Sequence, residues 1–418
     1  MSAVHIVGAG LSGLAAAVRL SAGSDLAVHL HEGAGQAGGR CRSFYDETLG
    51  CVIDNGNHLL LSGNRSAMRY LHEIGASDTL YIAPEAAFPF IDLRTGLRWS
   101  VRPNRGRIPW WVFDKRRRVP DTTAFDYLAG LRLAFCGSNA TVAACVGGRR
   151  VLYERFWEPL AVAALNTAAD EGAARLLWRV VMETFGRSGH AARPCIAMAG
   201  LSASFVDPAL ERLSKRGVEI AFNRRLRGLR IEGGRVVALA FADGLQALGP
   251  NDRVVLAVPP ARIAELLPAI DAPLESRAIV NAHFKLDRLP AFPDGLPFLG
   301  LIGGTAQWLF HRANVVSVTV SAADLLAEAP NETIAERIWN DVAKALELPL
   351  TERPPTRIVK EKRATFAQTP DAIAKRARTR THLANLFLAG DWTDTGLPAT
   401  IESAIRSGHR AATAAVER

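Results

Sequence analysis

Short apolar runs closed off by glycine mark both ends of the 418-residue chain. Val4-His5-Ile6-Val7 and Leu26-Ala27-Val28-His29-Leu30 are too brief for helices and too apolar for surface loops, so they read as buried strands. Between them, Leu14-Ala15-Ala16-Ala17-Val18-Arg19-Leu20 reads as a helix of small residues that can lie close on a sheet. Further strands are expected at 217–222, 226–231 (before the Gly233-Gly234 turn), 254–260 and 385–391. A last helix is expected from Ile401 to about Val416, with Glu402, Ser403, Ala404, Ser407, Gly408 and Ala411 as a small or polar face. Strand–helix–strand order of this kind predicts an α/β fold around a parallel sheet. From about 86 to 193 the pattern turns helical and rich in Arg, Trp and Phe. Strands return at 279–286, 299–302 and 315–320, with a helix around 334–346.

The turn after the first strand carries the chemistry. Gly8-Ala9-Gly10-Leu11-Ser12-Gly13 is G-x-G-x-x-G between a strand and a helix. Gly8 allows the tight turn, Gly10 lets backbone approach a pyrophosphate, and Gly13 lets helix pack on strand. Leu11 and Ser12 open the helix whose partial positive charge faces the phosphates. Glu32, at the end of the second strand, suits the two ribose hydroxyls of an adenosine and disfavours a 2′-phosphate there. Gly-rich turns also arise for packing alone, so the strand, helix, strand and acid around this one matter more than its glycines. A second loop, 33–43, ends in Gly38-Gly39-Arg40 and contains Arg42; its glycines admit a diphosphate and an arginine can offset the charge. Far away, Asn385–Asp391 is a strand ending in Gly390-Asp391, followed by a turn to Thr400 and Ile401. Gly390 would let a ligand cross the strand end, Asp391 would bond ribityl hydroxyls, and the new helix start would point at the pyrimidine edge of a flavin. Three separated segments therefore agree on one FAD in a Rossmann-type domain.

Composition narrows the class. Half of the chain is hydrophobic (49%) and 22% is charged, which excludes a disordered chain. Cys41, Cys51, Cys136, Cys145 and Cys195 are an odd, scattered set without C-x-x-C, so neither a disulfide framework, a zinc site nor a cluster is expected, and a reducing, cytoplasmic setting fits. No metal site is expected. No signal or membrane-spanning segment is legible. The net charge of +9 invites a polyanionic partner, although no nucleic-acid recognition fold is visible.

The cofactor motifs together resemble those of the flavin amine oxidase and carotenoid desaturase superfamily. Over nearly the whole chain the resemblance is closer to one branch, the squalene-associated FAD enzymes known as hydroxysqualene dehydroxylases. The stretches that carry it are 54–63 (Asp54-Asn55-Gly56-Asn57-His58-Leu59-Leu60-Leu61-Ser62-Gly63), Arg155–Leu160, Ala164–Thr167, Glu361–Phe366 and 389–404. The resemblance implies an amine oxidase-like two-domain flavoprotein, in which an FAD-binding domain (1–85, 194–267 and 383–418) is interleaved with an α+β substrate domain (86–193 and 268–382). It implies that Leu226 offers its backbone to adenine. It also implies removal of the allylic hydroxyl of hydroxysqualene to give squalene, with hydride from N5 of the reduced flavin, in hopanoid or sterol precursor synthesis. The substrate would be a C30 isoprenoid, handed over from a squalene or hydroxysqualene synthase. The rival activities are a phytoene-type polyene desaturase, a flavin amine oxidase, and a non-catalytic FAD-bearing scaffold.

That reaction asks for an acid, an apolar tunnel and aromatic faces beside an allylic cation. Phe156, Trp157, Trp178, Phe185, Trp308 and Phe310 are the aromatic pool, though each can equally be core. His58 and Asp54 are the catalytic candidates, either protonating the hydroxyl or fixing their loop by hydrogen bonds. Glu361 and Lys362 are second candidates or an ion pair. The stretch 102–118 packs Trp110, Trp111, Phe113 and many cations together, which suits peripheral contact with an anionic inner membrane face, or else a solvated basic loop.

Overall fold

The computed structural model describes residues 2–23, 26–148, 150–350 and 352–417. Strands Ala3–Val7, Ala27–His31, Glu219–Ala221, Arg253–Leu256 and Leu386–Leu388 form one parallel sheet, in which 3–7 lies between 27–31 and 253–256. Segments from the start, the middle and the end of the chain thus meet in five neighbouring strands. Helices Leu11–Gly23 and Ile401–Val416 cover this sheet and touch one another closely where Gly408 meets Ser12 and Ala15. The small-residue face expected on the last helix is what permits that approach. A three-stranded meander, Leu226–Glu232, Arg235–Phe241 and Gly244–Ala247, is clamped to the sheet by Asn385, whose side chain bonds both the N–H and the carbonyl of Val236.

A second sheet of seven strands runs in the order Thr356–Phe366, Ser276–Lys285, Val315–Val320, Trp308–Arg312, Phe298–Ile302, Phe88–Asp92, Arg98–Val101. All its pairs are antiparallel except 298–302 with 88–92. Because successive side chains alternate, one face sends Val280, Phe284, Val316, Val318 and Leu309 against helix Asn331–Leu346 in a fully apolar core. The other face turns toward the cofactor sheet and a layer of short helices between 110 and 192.

Two elements depart from the sequence reading. Residues 88–101, expected to be helical with the rest of 86–193, form the hairpin at the end of this sheet. Pro89 disguises its period of two and is tolerated because it lies near the start of the strand. Thr356–Phe366 is an eleven-residue edge strand that the run Lys360-Glu361-Lys362-Arg363 hides as polar sequence. Among the described residues no helix is long and apolar enough to cross a membrane, and no three His, Cys, Asp or Glu side chains gather as a metal site.

Candidate active site

The glycine turn is fixed by packing at one position and open at another. A Cβ on Gly13 would lie 1.8 Å from the carbonyl oxygen of Gly8, so only glycine lets the helix start there. A Cβ on Gly10 would meet nothing within 4 Å, and one on Gly39 only the Cα of Gly10 at 3.5 Å. The second loop is held against the first by Gly38 N–H donating to Ala9 O at 2.8 Å. Backbone at Gly10 and Gly39 therefore faces a shared gap at the N-terminus of the first helix, a place suited to a diphosphate. Glu32 Oε2 accepts from Ala9 N–H at 2.7 Å and Oε1 from Ala34 N–H at 2.8 Å, which pins the acid beside this turn. Leu226 begins its strand two residues beyond Arg224, whose N–H donates to Glu32 O, so it lies on the same side of the sheet edge.

The far end of the site is assembled by Arg40, Gly390 and Asp391, which the sequence marks, and by Arg376 and Gln368, which it does not. Gly390, at φ 147°, turns the chain out of the last strand into Asp391. Both oxygens of Asp391 accept from Arg40 Nη2 at 2.8 Å, which joins the first and last segments directly. This pairing raises the Arg40 pKa further, and the guanidinium also donates to Ala364 O. Buried Arg376 donates to the carbonyls of Asp391, Trp392, Thr393 and Leu397 and to Thr395 Oγ1, tying down the whole turn before the last helix. Burial lowers its pKa to about 10. Gln368 supports the same turn by accepting from Ala399 N–H at 2.9 Å. Thr400 caps the last helix by accepting from Ser403 N–H at 3.2 Å, so Ile401 stands at its first turn. The residue types fit FAD: open glycines and a helix N-terminus for the diphosphate, an acid for the ribose, and a polar strand end with a capped helix for the ring.

The loop Asn55–His58 crosses to the second sheet. Asn281 Nδ2 donates to Asn55 O at 3.1 Å, while Thr319 Oγ1 donates to Asn281 Oδ1 at 2.7 Å and accepts from Asn57 Nδ2 at 3.1 Å. Asn55 Nδ2 reaches Arg40 O and Glu361 Oε2, so Glu361 belongs to this junction, whereas Lys362 points away to Glu328. Asp54 accepts from Ser43 Oγ, from Leu201 N–H at 3.0 Å and from Arg312 Nη1 at 2.7 Å, and these bonds hold its loop in place. His58 lines a cleft with Asn57, Met198, Phe310, Arg312 and Ser317, and burial pushes its pKa down to about 4. The sequence reading overlooked His283, which is buried on the sheet beside this cleft; its Nδ1 lies 2.8 Å from Ser317 Oγ, and burial lowers its pKa to about 4.

Away from this polar end the same sheet face becomes aromatic. Residues opposite one another in register share a face, which aligns Ser317 with Phe310, Phe310 with Phe298, and Gly300 with both Trp308 and Phe90. Ring contacts continue from Phe298 to Phe88 (6.3 Å), Phe185 (5.6 Å), Phe156 (6.5 Å) and Tyr127 (6.2 Å). Of the expected pool, Phe156, Phe185, Trp308 and Phe310 belong to this chain of rings. Trp157 touches it through Phe156 at 4.9 Å, and Trp178 packs at the margin of the same core. Phe88, Phe90 and Phe298 were missed; the alternation of Phe88 and Phe90 around Pro89 was the available signal, and Phe298 stands alone in its short apolar run.

A cofactor sheet fed by three distant segments, joined to a sheet with one aromatic face, is the architecture of flavin-dependent amine oxidoreductases. The profile of flavin containing amine oxidoreductases matches residues 11–416, and the chain belongs to that family. Within it, the chain is similar to the hydroxysqualene dehydroxylase of Rhodopseudomonas palustris, at 49% identity over 411 residues, 98% of this chain and 97% of that one. The hydroxysqualene dehydroxylase of Sinorhizobium fredii is 47% identical over 409 residues, covering 98% and 97%. A protein of Synechococcus elongatus named "Probable zeta-carotene desaturase" is more distant, at 24% over 486 aligned positions, covering 99% and 98%. Among solved structures, putrescine oxidase with bound putrescine superposes with a TM-score of 0.71 at 16% identity, over 100% of this chain and 99% of that one. The cofactor is FAD.

Proposed function

We propose that the chain removes the allylic hydroxyl of hydroxysqualene to give squalene. The observation that carries this reading is near-half identity, over almost the entire length, to two hydroxysqualene dehydroxylases. The aromatic sheet face whose Phe310 shares a cleft with His58 supports it. The reaction balances as alcohol, hydride and proton giving hydrocarbon and water; when bound, reduced FAD supplies the hydride. The FAD-binding part comprises 1–85, 194–267 and 383–418, and the substrate part 86–193 and 268–382. Gly10, Leu11 and Ser12 with Gly38 and Gly39 hold the diphosphate, on a turn that Gly8 and Gly13 shape by close packing, and Glu32 and the Leu226 backbone hold the adenosine. Gly390, Asp391, Thr400 and Ile401 seat the flavin end, and Arg40, expected beside the diphosphate, pairs with Asp391 instead.

His58 lines the cleft where the hydroxyl would sit and, held neutral by burial, offers that oxygen an N–H hydrogen bond while the proton comes from water, and Asp54, occupied by Ser43, Leu201 and Arg312, holds the loop that carries it. The apolar face excludes water, and its π-faces stabilise allylic positive charge. The protein works against an anionic membrane surface, receiving its C30 substrate from the synthase that makes it; the exposed cations of 105–117 support that contact.

The test is a single anaerobic turnover. Photoreduced protein is mixed with hydroxysqualene while flavin absorbance and extracted lipid are followed. Reoxidation with stoichiometric squalene is expected. A flavin that stays reduced, with oxidised protein instead bleaching on phytoene or squalene, would replace the reading with a desaturase.

A further inference from the structure

Two neighbouring stretches of the helical layer show one face to solvent and the other to the aromatic chain. In the turn Trp110–Phe113, Trp110 is 62% exposed and its ring touches Phe113 at 5.9 Å, whereas Trp111 is only 8% exposed. The sequence reading treated both tryptophans as one surface group; the structure separates them. In the helical stretch 124–135, Phe125 (75% exposed), Leu128, Leu131 and Phe135 (87%) stand outward. Residues three apart eclipse one another in a 3-10 helix, so Phe125, Leu128 and Leu131 form a ridge that Phe135 prolongs. Single exposed apolar residues are ordinary, but two adjoining apolar ridges are not.

Arg105, Arg107, Lys115, Arg116, Arg117 and Arg132 are exposed on or beside these two stretches, against the acids Glu85, Asp114, Asp121 and Asp126. Apolar ridges flanked by excess cations match the interface of an anionic bilayer, where rings enter the acyl boundary and cations meet headgroup phosphates. The inward residues join this surface to the site. Trp111 meets Tyr127 edge-on at 5.1 Å, and Tyr127 leads through Phe156, Phe185, Phe88 and Phe298 to Phe310 in the cleft with His58.

We propose that the substrate enters straight from the bilayer between 110–113 and 124–135, and follows this line of rings to the flavin end. The route rests on the dehydroxylase reading; the membrane contact does not. It removes the need for a C30 hydrocarbon to cross water.

Flotation with phosphatidylcholine vesicles, with and without phosphatidylglycerol, measures contact alone. The wild-type protein is expected to float with the anionic vesicles. A combined Trp110→Ser, Phe113→Ser, Phe125→Ser, Phe135→Ser variant and a separate Lys115→Gln, Arg116→Gln, Arg117→Gln variant should each lose it. In vesicle-borne hydroxysqualene the first variant should raise KM about tenfold at unchanged kcat, while turnover of detergent-dispersed hydroxysqualene stays at the wild-type rate. Wild-type protein that stays at the bottom of the gradient overturns the contact, and retardation on duplex DNA under those conditions would assign the surface to nucleic acid. A variant that no longer floats yet keeps the wild-type KM overturns the entry route. Failure of the wild type on dispersed substrate would overturn the dehydroxylase reading and the route with it, with the flotation result left standing.

Discussion

Around Gly8–Gly13 the chain makes its site from backbone, whereas across the face from Asn281 to Phe88 it makes its site from side chains. The first region tolerates almost no change in shape: Gly13 sits where any Cβ would strike Gly8 O. The second is a row of rings in edge and tilted contacts, where one apolar group can stand in for another with modest loss. A diphosphate has one geometry and demands one cradle. A polyene is flexible and mostly needs dryness and π-faces.

The sharpest way to break this contrast is Gly13→Ala, expected to abolish flavin binding and destabilise the fold by about 3 kcal/mol or more. Gly10→Ala should keep the melting temperature and lose flavin affinity alone, because only open space lies beyond it. Flavin absorbance after gel filtration, beside a thermal melt, separates the two. Equal behaviour of the two variants would remove the distinction between packing and binding glycines.

Next comes Arg376→Met, which leaves several buried carbonyls without donors and should cost about 3–5 kcal/mol, with the flavin lost alongside. Urea denaturation of the holoprotein measures it.

Acid should act on both regions together. His5 and His409 in the cofactor part, and His58 and His283 near the second sheet, have pKa values lowered to about 4, and His31 to about 3, chiefly by burial. In the unfolded chain they take up protons below about pH 6.5, while the folded chain keeps them neutral. Stability is therefore complete above that pH and falls as pH drops toward about 4. The slope is about 1.4 kcal/mol per pH unit for each imidazole. Urea midpoints at about pH 7 and about pH 5 read this directly, and a flat profile would contradict the burial of these rings.

The smallest structural effect belongs to Phe298→Leu, at about 1 kcal/mol. Its flavin spectrum should be unchanged, while single-turnover dehydroxylation slows about tenfold as an aromatic face beside the cation is lost. Full activity would make Phe298 core alone.

The same contrast explains what could be read beforehand. Spacing encodes a backbone path, so Gly8–Gly13, Gly38-Gly39 and Gly390-Asp391 announce themselves in one dimension. Arg376 and Gln368 do not, because their partners at 391–399 are defined only after the last strand has docked. Phe156, Phe185, Trp308 and Phe310 could be named from composition, yet their order along a path required the register of five strands. Phe88 and Phe298 were hidden by Pro89 and by the brevity of their runs. His283 looked like any histidine in a strand, since nothing in its neighbours along the chain reveals the second sheet it faces.

The bond between Arg40 and Asp391 also sets a timetable. Asp391 follows Arg40 by 351 residues and leaves the ribosome long after it, and strand Leu386–Leu388 cannot join its sheet before then. A nascent chain that has not yet reached Asp391 therefore holds an open-edged cofactor sheet, and FAD loading is expected to wait for that segment. A chain cut between Arg40 and Asp391 would never turn yellow.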